Sequence, residues 1–229
     1  MPNPLLQLDA IPDFEHMQAS DIEPALKCLI GEAKQAIDQV VQNKESATWN
    51  NTIVPLDESL EKLGRAWGVV SHLNAVRDHP AWRLAYDENL VHISYFYTAL
   101  AQDFRLFERY QFLAQSEGHQ LTDEQQRVIT LALEDFNLAG AQLLPEKREE
   151  LATLSNELSI LESQFSQNVQ DATDAFGLWF NEQQELAGVP ADILASFEQA
   201  AAVRNRSGYF VGLQTPFYLC LLYTSDAAD

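Results

Sequence analysis

Five histidines, two cysteines and 34 carboxylates are the side chains of this 229-residue sequence with the widest chemical reach. No two histidines form a His-Glu-x-x-His pattern, which would put two imidazoles on one helical face with a base between them. His72 and His79 are seven apart and can share a face, yet no carboxylate lies at matching spacing, so they read as surface or capping groups. His16, His92 and His119 stand alone and read as polar surface groups. There is no glycine-rich phosphate loop, no Gly-x-Ser-x-Gly elbow and no cysteine beside a histidine in sequence. Glu134 with Asp135, or Glu149 with Glu150, supply paired carboxylates, but acidic residues on long helices are mostly solvated faces. The residues alone therefore nominate no catalytic, cofactor-binding or metal site.

The elements that would position any such group are helical. Pro2, Pro4 and Pro12 mark an extended arm over 1–20, and Ser20 with Glu23 is a capping-box signal. Leu26, Leu29, Ile30, Ala33, Ile37, Val40 and Val41 then predict a helix over about 21–43, with Pro24 in its first turn. Thr48 opens a second helix through Ile53, Leu56, Leu60, Leu63, Trp67 and Val70, bent or delayed by Pro55, in which Gly64 and Gly68 would admit a close neighbour. A third runs from Pro80 to about Ala114 with aromatics on several sides. Thr122 with Gln125 caps a fourth, which ends near Gly140.

The strongest period belongs to Leu151, Leu154, Leu158, Leu161, Phe165, Val169, Ala172, Phe176 and Phe180. It predicts a helix over 146–180, about 52 Å long, with Leu158, Leu161 and Phe165 buried. Pro190 begins a short helix to about Val203. Tyr209 to Leu213 reads as a strand, and Thr215, Pro216 and Phe217 as the turn into a partner strand. The fold class is all-α: long antiparallel helices with a short β element near the C-terminal end.

Fourteen basic against 34 acidic side chains leave a net charge of −20, opposite to what a phosphate backbone or an anionic membrane attracts. Cys28 and Cys220 are too few for a disulfide framework, so a reducing cytoplasm is expected. The sequence shows no signal peptide, and its longest apolar run, Phe217 to Tyr223, is too short to span a membrane.

Four strings carry more than periodicity. They are Ile11-Pro12-Asp13-Phe14 followed by Ile22-Glu23-Pro24-Ala25; Ser71-His72-Leu73-Asn74-Ala75-Val76; Leu133-Glu134-Asp135-Phe136-Asn137-Leu138-Ala139-Gly140; and Phe165-Ser166-Gln167-Asn168-Val169-Gln170-Asp171-Ala172-Thr173. Together they resemble the amino-terminal region of the thimet oligopeptidase family of zinc metallopeptidases, over residues 1 to about 219. The resemblance implies a cytoplasmic enzyme that cleaves internal bonds of short peptides in a channel between two largely helical halves. It implies that this chain forms part of one wall and that zinc and its ligands belong to a C-terminal catalytic portion. No catalytic or zinc-binding residue transfers to any position here, and the chain alone is expected to be inactive and to bind no zinc.

Domain boundaries follow: 1–20 as the arm, 21–207 as the helical N-terminal domain, 208–219 as the start of a β element. Residues 220–229 resemble an in-frame translation of a sequencing adapter; without them the acidic count falls to 32, the charge becomes −18, and Cys28 is the sole cysteine. The alternative is a self-sufficient acidic helical binding or scaffold protein.

Overall fold

In α1 (Ile22–Gln42), Ala25, Leu26, Leu29, Ala33, Ile37 and Val40 are buried, the positions that the three-four spacing selects. They close on Leu56, Leu63, Ala66 and Val70 of α2 (Val54–Val76) and on Trp82, Ile93 and Phe96 of α3 (Pro80–Ala101). The buried Trp82 indole keeps a partner by donating to the Val70 carbonyl at 3.2 Å. This arrangement belongs to a computed structural model, which describes residues 3–7, 11–77, 79–117 and 120–224. His119 and residues 225–229 lie outside the described residues.

Helix ends depart from expectation where polar side chains intervene. Ser20 and Glu23 do not open α1; a 3-10 turn over Ala19–Asp21 precedes it, and Asp21 Oδ2 accepts from the Gln18 N–H at 2.8 Å. The arm is not simply extended either, since Pro4–Leu6 form a 3-10 turn and Leu5 is fully buried. Thr48 does start the second helical segment, exchanging hydrogen bonds with Asn51, but Trp49–Ile53 is a wide π turn. α2 begins only at Val54, with Pro55 in its first turn, where the absent N–H costs least. Gly68 has no atom within 4 Å of where a Cβ would stand, so no helix crosses closely there.

The single helix expected over 80–114 is two, α3 and α4 (Phe104–Glu117). Asp103 Oδ1 accepts from the Arg105 N–H at 2.9 Å, an N-cap that restarts the helix even though the apolar period continues. Buried Gln102 donates to the Ala139 carbonyl at 3.0 Å. α5 (Asp123–Leu138) carries the expected reciprocal bonds of Thr122 and Gln125, at 3.1 and 3.3 Å. Gly140 ends it with φ +83, where an added Cβ would stand 2.6 Å from Leu143.

The chain forms two compact units, Met1–Ile160 and Leu161–Asp229. The division falls inside α6 (Pro145–Ala175), a helix of 31 residues. Contrary to the periodic reading, none of its residues is buried: Leu158, Leu161 and Phe165 are 56, 59 and 70 % exposed. In the first unit its partly covered positions include Leu151, Ala152 and Ile160 as well as Ser155, Asn156 and Ser159, and Ser94 Oγ of α3 donates to Asn156 Oδ1 at 2.8 Å. From Leu154 to Val169 the apolar stripe is open, and the partial cover falls beside it. Period fixes which residues share a face, never which face is covered.

In the second unit the helix stops at Ala175 instead of 180, because Gly177 to Phe180 form β1. β1 pairs antiparallel with β2 (Tyr209–Gly212), Gly177 opposite Gly212 and Phe180 opposite Tyr209. Any side chain at Gly177 would lie 2.1 Å from the Phe210 ring, which accounts for a glycine there. The expected strand after Pro216 is absent; Thr215–Thr224 are helix α8, with Pro216 in the first turn, where a fixed φ suits a helix start. α7 (Ala191–Val203) supplies Leu194 and Phe197 to a small core with Leu186, Val189 and Val211. Phe217, Cys220 and Leu221 pack against that core, so the first residues of the adapter-like tail touch folded protein.

Candidate functional site

Among the described residues the histidines are not gathered into a site. His79 caps α3, its Nδ1 accepting from the Ala81 N–H at 3.3 Å, and the His72 ring meets Phe14 edge-on at 5.9 Å. His16 pairs with Asp13 at 2.9 Å, and that contact holds the Asp13 carboxyl below its ordinary value. Glu134 and Asp135 are exposed on α5; Glu149 is exposed, and Glu150 pairs with Lys147 at 2.7 Å. Among the described residues no group of three or more His, Cys, Asp and Glu is placed to hold a metal ion. Zinc therefore finds no fit in them.

Cys28 is no better as a nucleophile. Its thiol donates to Glu32 Oε1 at 3.5 Å, and that carboxylate pushes the thiol pKa up, away from the reactive thiolate.

One polar cluster was not legible in the sequence. Arg109 of α4 donates to the Asn43 and Glu45 carbonyls at 2.9 and 3.1 Å and reaches Thr52 Oγ1 at 3.4 Å, tying α4 to the loop that contains the π turn. Beside it Arg105 is held by Asp103 at 2.6 Å. These guanidiniums line a concavity of about 730 Å³ with Lys44, but both are engaged by the chain itself. A lone arginine in an aromatic helix carries no spacing signal, and its acceptors are backbone carbonyls some 60 residues away. Tyr110 beside it packs edge-on to Phe136 at 5.4 Å; burial and, less, the Asp57 carboxylate push its phenol pKa up to about 12.

With no reactive constellation among these side chains, lineage decides more than local chemistry. Residues 26–148, from α1 into the start of α6, match the family model described as the N-terminal domain of neurolysin and thimet oligopeptidase. The chain belongs to the neurolysin/thimet oligopeptidase family.

Relatives of the family agree. Oligopeptidase A of Haemophilus influenzae is 36 % identical over 220 residues, which cover 96 % of this chain and 32 % of that protein. Oligopeptidase A of Escherichia coli is 32 % identical over 227 residues, 99 % of this chain and 33 % of that protein, so the alignment runs past residue 219. The probable cytosolic oligopeptidase A of Arabidopsis thaliana is 29 % identical over 225 residues. The chain thus spans about a third of the length of these oligopeptidases. No helix among the described residues is long and apolar enough to cross a membrane.

Proposed function

We propose that this chain is the amino-terminal portion of a cytoplasmic, zinc-dependent oligopeptidase that hydrolyses internal bonds of short peptides. In this reading it forms part of the wall of the substrate channel, and the zinc ligands and catalytic groups belong to the C-terminal portion. The observation that carries the proposal is similarity over nearly the whole chain to oligopeptidases A of which it spans a third. The open apolar stripe of α6 supports it, because Leu154, Leu158, Leu161, Phe165 and Val169, all about half exposed or more, are the kind of surface that further protein covers. The net charge of −20 favours neither nucleic acid nor an anionic membrane as partner.

The test is to assay an internally quenched short peptide with the chain alone and with the chain joined to the remaining two thirds of the gene. The joined protein is expected to cleave it, to lose activity to a zinc chelator and to recover on adding zinc, while the chain alone stays inert. Chelator-sensitive cleavage by the chain alone, or a joined protein indifferent to the chelator, overturns the reading.

A further inference from the structure

Several cations of this acidic chain are engaged internally, among them Arg65 by Glu61, Arg105 by Asp103, Lys147 by Glu150, and Arg204 and Arg206 over the rings of Phe210 and Trp179, while Lys44, Lys62 and Arg127 have no such partner among the described residues. Nor have Lys27 and Lys34. Neither makes an ion pair or hydrogen bond among the described residues. Two turns apart on one face of α1, about 10 Å along its axis, they flank the same groove.

That groove runs between α1 and α3 and has a volume of about 520 Å³, within the range of small-ligand sites. Leu26, Ile30 and Phe96 supply apolar lining, with Leu26 and Phe96 only 1 and 3 % exposed, and Tyr95 stands open at 65 %. Gly31 lies between the lysines, and a Cβ there would meet nothing within 4 Å, so the helix leaves a gap where an ordinary side chain would intrude. Asn89, 4 % exposed, also lines the groove; its Nδ2 donates to the Ala85 carbonyl, and an amide has further donor and acceptor positions. His92 lines the α3 side, and Glu23 is the groove's acidic member.

We infer that the α1/α3 groove binds the carboxyl-terminal end of a short peptide, with an apolar last side chain against Ile30 and Phe96 and its free carboxylate at Lys27 or Lys34. The apolar lining fits a side chain, the unpaired ammonium groups fit a carboxylate, and the buried amide of Asn89 fits a peptide group where a hydrocarbon would offer it nothing. The choice of a peptide rests on the proposed function; the unpaired lysines and the open groove do not. The groove is proposed as a binding site only, with no part in bond cleavage.

Calorimetric titration of the full chain with N-acetyl-Phe-Leu, with its C-terminal amide and with decanoate tests the inference. The free-acid peptide is expected to bind at least tenfold more tightly than the amide. Lys27→Gln/Lys34→Gln, on exposed positions, should erase that difference, and Gly31→Leu should abolish binding while circular dichroism stays at wild-type values and the denaturation midpoint does not fall. Equal binding of acid and amide, binding that survives Gly31→Leu, or no binding of the peptide at all overturns the site. Decanoate binding more tightly than the peptide overturns the peptide as its occupant. All readouts are binding to the chain itself, so failure here leaves the cleavage assay untouched, and failure of that assay leaves this one readable.

Discussion

α1 and α6 both carry unbroken apolar stripes at three- and four-residue spacing, and the structure treats them in opposite ways. The stripe of α1 is closed over by α2 and α3, whereas that of α6 is open from Leu154 to Ala172, with partial cover at its Leu151 end. Spacing reveals an apolar face; burial needs a second surface of matching shape. α1 finds it within the chain. α6 does not, although its stripe is the longer.

The sharpest way to break this contrast starts at the buried end. Leu26→Ala empties a site that is 1 % exposed, and the lost transfer energy plus the cavity should destabilise the first unit by about 2–5 kcal/mol. Denaturant unfolding reads the shift in midpoint. A wild-type midpoint would mean that the α1 stripe is no better covered than that of α6.

Alkaline titration probes the same unit next. Because the folded phenol of Tyr110 ionises at about 12 and an unfolded one near 10, stability is complete below pH about 10. It falls as pH rises towards 12, since the unfolded chain releases its proton first, by about 3 kcal/mol in all from this group. Tyr110→Phe should remove the largest share of that slope, leaving what Tyr86 and Tyr97 contribute, whose phenols burial also pushes up. A mutant that keeps the full slope assigns it elsewhere.

A smaller effect separates the folded part of the tail from a passive extension. Leu221 is half-buried on the second core, so Leu221→Ala should cost about 1 kcal/mol. The adapter reading implies a tail that can be deleted without loss of stability, whereas the contact of residues 220 and 221 with the core predicts a loss. No change on mutation would restore it.

The smallest stability effect belongs to α6. Leu161→Ala should stay within about 0.5 kcal/mol of wild type, as exposed substitutions do, and not the 2–5 kcal/mol that its stripe suggested. Phe165→Glu should leave stability equally unmoved yet reduce binding of a hydrophobic dye and any concentration-dependent association, because it places charge in the open stripe. A large loss of stability from Leu161→Ala would show that the stripe is covered in solution and erase the contrast.

Several local features were legible because neighbouring residues decide them. The Thr122–Gln125 box, the Gly140 stop and the buried face of α1 depend on atoms within one or two helical turns, so spacing and residue type suffice. The break at Asp103 was equally local but hidden, since an N-cap aspartate inside a continuing apolar period looks like one more solvated carboxylate.

By itself the sequence determined the helical class, the acidic surface, the absence of a recognisable catalytic motif and, through four strings, the family. Tertiary structure alone decided the rest: that β2 pairs with β1 about 30 residues upstream, that Arg109 ties α4 to a distant loop, and that Lys27 and Lys34 flank an open groove. It also decided that α6 presents its leucines outward. The physical reason is one of range. Backbone hydrogen bonding and side-chain phase are set over a few residues, whereas burial, ion pairing and concavity depend on which surfaces the folded chain brings together across dozens.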